Sequence, residues 1–156
     1  MKTTQANLDT AYAAFEQIIA NCAPLKHELR ETPEHEAIDL TLRFPEQPGL
    51  LFEVELNLVG VELHLNASAF WCEWFSTKNP KRVAAFIDAA TGLLIGEHRL
   101  LETLRDQKPV RSKLQFRQDD GWVTDVAWSR IHLPFGKKSE RIIQNTAFTH
   151  PSPSSN

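Results

Sequence analysis

Three runs decide the fold: Ile38-Asp39-Leu40-Thr41-Leu42-Arg43-Phe44, Phe52-Glu53-Val54-Glu55-Leu56-Asn57-Leu58 and Val61-Glu62-Leu63-His64-Leu65-Asn66. In each, apolar and polar side chains alternate with period two. Successive side chains on a strand point to opposite faces, so the pattern predicts antiparallel strands with one buried and one wet face. Pro45 to Gly49 supplies the first turn, and Val59-Gly60 a tight second one. Apolar residues must oppose apolar residues, which restricts the register. The simplest choice sets Leu58 against Val61 and Leu56 against Leu63, with Glu55 against His64 on the wet face.

Upstream, Leu8, Tyr12, Phe15, Ile18 or Ile19, and Cys22 recur at helical spacing. They predict an amphipathic helix, capped by Thr4 or Asn7 and limited by Pro24. The polar stretch from Leu25 to Glu36 reads as a connector. Downstream comes an aromatic knot, Phe70-Trp71-Cys72-Glu73-Trp74-Phe75, then a second helix. Asn79 caps it, Pro80 takes its first position, and Gly92 is expected to end it. Val83, Ala84, Phe86, Ile87 and Ala90 form its apolar stripe.

From Leu93 to Arg105 a strand is expected, with a bulge near Leu100-Leu101. Asp119-Asp120-Gly121 predicts a three-residue hairpin loop with Gly in the left-handed position. The pairs that follow are Gln118 with Trp122, Phe116 with Thr124, Leu114 with Val126 and Ser112 with Trp128. Arg111, Lys113 and Arg117 then point to water, near Asp125. Residues 141–148 are expected to add an edge strand, and 149–156 a disordered Ser- and Pro-rich tail. The expected architecture is α+β, one two-layer domain over residues 1–148: helix, three-stranded meander, helix, second meander, with both helices on one face of a single antiparallel sheet.

At 156 residues, 42% hydrophobic and 24% charged, the chain has material for a real core. No apolar run nears the roughly 18 residues needed to cross a bilayer, and no signal-peptide pattern opens the chain. Two cysteines, Cys22 and Cys72, suit reduced thiols in the cytoplasm. Charge is unevenly shared. Residues 1–75 hold four Lys/Arg and twelve Asp/Glu, whereas residues 76–156 hold thirteen and eight. The acidic strands and the basic strands are expected to meet as neighbours in the sheet or across a dimer. With a net charge of −3, no nucleic-acid partner is expected.

Glu53, Glu55, Glu62 and His64, with Asp39 one strand away, share a wet face and are ligand types for divalent ions. They read as solvated strand residues with a local Glu55–His64 pair, and neither metal nor cofactor is expected. Cys72 reads as a small buried hydrophobe. Trp71 and Trp74 cannot both face inward on a regular strand, so one is expected to be exposed and to mark a binding surface. Glycine-rich phosphate loops, nucleophile elbows and zinc-binding helix motifs are absent from the sequence.

The leading expectation is a non-enzymatic protein-interaction module, with a partner protein or a second copy engaged through Trp71, Trp74, Glu55, His64, Arg111, Lys113 and Arg117. The element order resembles that of small acidic dimeric chaperones of bacterial secretion systems, which implies self-association. The extra strands after the second helix depart from it. Alternatives are a small-molecule binding module with an aromatic-lined pocket, or an enzyme using His64, His98 and nearby carboxylates as acid and base.

Overall fold

A computed structural model describes residues 3–32, 37–74, 76–130 and 135–146, with Trp74 described by its backbone alone. The order of elements is α1 (Gln5–Asn21), β1 (Glu28–Glu31), β2 (Leu40–Phe44), β3 (Val54–Val59), β4 (Glu62–Ala67), β5 (Phe70–Trp74), α2 (Pro80–Ile95), β6 (His98–Arg105), β7 (Lys108–Gln118), β8 (Gly121–Ser129) and β9 (Lys138–Ile143). The single two-layer helix–meander arrangement expected from the sequence is incorrect. Among the described residues the regular structure is mostly strand, with nine strands in two antiparallel sheets ordered β1-β2-β3-β4-β5 and β8-β7-β6-β9.

Two local facts account for the difference. Residues 28–31, expected in a connector, pair antiparallel with β2 and extend the first sheet at one edge. The aromatic knot pairs with β4 and extends it at the other. The chain then leaves through α2, and β6 finds its partners in β7 and β9. The expected tail at 149–156 and the end of the expected last strand, residues 147 and 148, lie outside the described residues.

The expected apolar face of β2, β3 and β4 is buried, and two polar residues of the other face, Thr41 and Asn57, are buried as well. Leu40, Leu42, Phe44, Val54, Leu56, Leu58, Leu63, Leu65 and Ala67 are all buried. The register of the β3–β4 hairpin differs from expectation by two: Leu56 opposes Leu65, Leu58 opposes Leu63, and Val59 opposes Glu62. The turn is therefore Gly60-Val61. Gly60, at φ +62°, takes the position that demands positive φ, so Val59 never has to. Asp39 Oδ2 accepts from the Gly60 amide at 2.9 Å, and Asn7 Nδ2 donates to its carbonyl at 3.3 Å.

Helix α1 begins at the Thr4 cap, whose hydroxyl accepts from the Asn7 amide. Helix α2 begins as expected at Asn79 and Pro80, but runs past Gly92 to a left-handed cap at Gly96. Leu93 and Leu94 explain the extension. Their burial with Phe86, Ala89 and Ala90 outweighs the ~1 kcal/mol that an internal glycine costs. Phe15 and Phe86 meet with ring centres 6.2 Å apart, joining the helices. One cluster of buried side chains runs from these helices through both sheets, reaching Leu100 and Leu114.

Candidate functional site

The pleat of the first sheet sorts its charges outward. On its outer face Glu28 opposes Arg43 and Arg43 opposes Glu55, while His64 lies between Asn57 and Glu73. Arg43 is drawn to Glu53 at 2.6 Å and to Glu28 at 3.5 Å. The expected Glu55–His64 pair does not form. The shifted register sets Glu55 against Asn66, and its Oε1 accepts from Asn57 Nδ2 at 2.8 Å. His64 Nε2 instead lies 3.0 Å from Glu62 Oε2 on the same strand. Asn57 is buried, and its Oδ1 accepts from the hydroxyl of Thr41 at 2.7 Å.

Trp71 projects onto this face and is 39% exposed, while Phe70 on the same strand is buried. Its ring meets the His64 imidazole edge-on, with centres 5.5 Å apart. Trp74 pairs with Leu63 through the backbone. Cys72 packs against the core, and its thiol is pushed up to about 11, first by burial and then by the nearby charges of Glu73 and Asp125. A thiol with so high a pKa is a poor nucleophile.

The second sheet is basic on its outer face. Leu100, Glu102 and Leu104 of β6 point inward, as do Val110, Ser112 and Leu114 of β7. Arg99 and Arg105, with Arg111, Lys113 and Arg117, therefore point outward. Lys138 joins Arg105 from β9, and Glu140 stands opposite Thr103. The β7–β8 loop contains two residues, Asp119 and Asp120, rather than the expected three. Gln118 pairs with Gly121, and a bulge between Leu114 and Gln115 absorbs the extra residue, Asp125. Asp119 itself takes φ +50°, which an aspartate tolerates. Beyond the bulge the expected pairs return, Leu114 with Val126 and Ser112 with Trp128.

The bulge moves Trp122 off the apolar face where it was expected. It now opposes Arg117, and the Arg99 guanidinium lies 4.1 Å from its ring centre, a cation–π contact. Arg99, Trp122 and Glu73 were missed as members of the charged faces. For Trp122 no sequence signal located the bulge. For Glu73 the signal was its odd parity beside Trp71.

His98 and Phe116, partners across β6 and β7, border two adjoining cavities. One, of about 390 Å³, is lined by Asp88, Gly92 and Asp125 of α2 and β8, and the other, of about 360 Å³, by Arg117 and Trp122. Buried His98 Nδ1 has no hydrogen-bond partner among the described residues. Burial lowers the pKa of this imidazole, against the opposing pull of Glu97, Asp125 and Asp88. His64 and His98, paired in the enzymatic alternative, belong to different sheets.

Glu102 was also missed. It is fully buried between the sheets, accepting from the Ser68 hydroxyl at 2.8 Å, the Ala69 amide at 3.3 Å and Arg141 Nε at 2.7 Å. Ser68 and Ala69 form the β4–β5 turn, so this carboxylate ties the first sheet to the second.

No known protein family matches the chain, and neither the curated proteins nor the solved structures give a match. No helix among the described residues is long and apolar enough to cross a membrane.

Proposed function

We propose that this protein is a non-enzymatic interaction module that self-associates, the basic outer face of its second sheet docking on the acidic outer face of the first sheet of another copy. One observation carries the reading: opposite charges are sorted onto two different sheets, with no ladder among the described residues joining them. The ion pairs Arg43–Glu28 and Arg43–Glu53 stay within the first sheet, and Arg141–Glu102 within the second. A second copy brings the complementary face, and matched potentials of this kind steer association and fix its geometry. Exposed Ile142 on β9 and Trp71 on β5 add apolar contact to the two faces. Two free cysteines, Cys22 and Cys72, suit a cytoplasmic setting for this role.

Sedimentation velocity at low and high salt tests the proposal. Association should weaken as salt shortens the screening length, from about 30 Å at 0.01 M to about 8 Å at 0.15 M. Reversing the basic face (Arg111→Glu with Lys113→Glu) or the acidic face (Glu28→Lys with Glu55→Lys) should give monomers. Mixing the two variants should restore association, because each then carries what the other lacks. A wild-type chain that stays monomeric at low salt, or a mixture that does not associate, overturns the reading.

A further inference from the structure

We infer that Glu62, His64 and Glu73 form a binding site for a first-row divalent cation, for which Zn2+ is the natural probe. The argument begins with register. Pairing of β4 with β5 sets His64 directly opposite Glu73, and the pleat brings Glu62, two residues before His64, onto the same face. One donor atom from each residue lies within 4.8 Å of the other two. A small side-chain rotation closes such a triad onto an ion with bonds of roughly 2.0–2.2 Å. Two carboxylates and one imidazole suit zinc and its neighbours, whereas all-oxygen sets suit calcium or magnesium.

Two further observations point the same way. The donors are not loose surface groups: the side chain of His64 is 14% exposed and that of Glu62 is 29% exposed. The residues around the donors are also held in place. Trp71 meets the imidazole edge-on at 5.5 Å, and Asn57, opposite His64 on β3, is fixed by Thr41 and Glu55. Three protein donors leave coordination positions open to water or to a further ligand. The site differs from the cluster that the sequence suggested, since Glu53 and Glu55 are engaged elsewhere and Glu73 takes their place. All three donors come from one chain, so the site is complete in a single copy and can be titrated under high-salt conditions that disfavour association.

Titration of the full chain with Zn2+ by calorimetry tests it. One ion should bind per chain. Glu62→Gln, His64→Gln and Glu73→Gln should each weaken binding by at least about 10-fold, while Glu28→Gln on the same face should not. Thermal melts of the metal-free variants check that each folds. Co2+ gives a second readout on the unmutated site: it should quench tryptophan fluorescence, and Trp71→Phe should remove most of that quenching while Zn2+ still binds. Absence of saturable Zn2+ binding, equal affinity in the three ligand variants, or quenching undiminished in Trp71→Phe overturns the assignment.

Discussion

The imidazole of His98 occupies the space where a side chain on Gly92 would stand: a Cβ built at position 92 would overlap the His98 ring. Alanine in place of glycine inside a helix normally gains about 1 kcal/mol. Here the sign should reverse. Gly92→Ala must push the ring toward the adjoining cavity, and overpacking typically costs about 1–3 kcal/mol. Urea unfolding should show the loss, and the double variant with His98→Ala should recover a large part of it. A stabilised Gly92→Ala single variant would contradict this packing.

His98 also sets a pH dependence. Its proton affinity in the folded chain lies below the ordinary histidine pKa of 6.5, chiefly through burial. The unfolded chain therefore takes up its proton first as pH falls. Stability from this residue is fully present above about 6.5 and is lost on acidification through the lowered folded value. Wild type should lose more stability than His98→Gln between pH 7.5 and 5.5, as read from unfolding midpoints at each pH. Parallel profiles would remove the effect.

Glu102 is a buried charge held by three donors from both sheets. Truncation to alanine strands the Ser68 hydroxyl and the Ala69 amide and should cost about 3 kcal/mol. Arg141→Ala, at a side chain 50% exposed, should disrupt the same contact but leave Ser68 and Ala69 partnered. Its cost should be smaller. Chemical denaturation of both variants gives the order, and an Arg141→Ala cost above that of Glu102→Ala would refute it.

Neighbouring aromatics on β5 should respond oppositely. Phe70 is buried, and Phe70→Ala should cost about 3–5 kcal/mol. Trp71→Ala removes a 39% exposed ring and should cost under about 1 kcal/mol by the same unfolding measurement. Comparable losses would mean that Trp71 is part of the core.

Much of this was legible in the residues. Period-two alternation located β2, β3 and β4 and their buried faces, because one side of each strand must leave water. Capping chemistry located both helix starts. Turn geometry was harder to read. Gly60 and Gly96 are the glycines that take positive φ at the β3–β4 turn and the end of α2, whereas Gly92 is helical and exists to admit His98. Gly121 sits in open space, and Asp119 bends the chain in its stead. Which of two nearby residues absorbs a turn depends on packing far along the chain, so the β3–β4 register slipped by two and the bulge at Asp125 went unseen. The charged faces followed from alternation. Their residence on separate sheets did not, because nothing local states which free edge a later strand will choose.

The link from Ser68 through Glu102 to Arg141 bears on how this molecule can change. Peptide ladders fix each sheet internally, but the relative aim of the two rests on contacts outside the ladders: the common apolar filling, the bonds from Asn145 and Thr146 to the β2–β3 loop, and that carboxylate. Substitutions around it can therefore swivel one charged platform against the other while both platforms stay intact, making shape of assembly adjustable independently of the strands that build it.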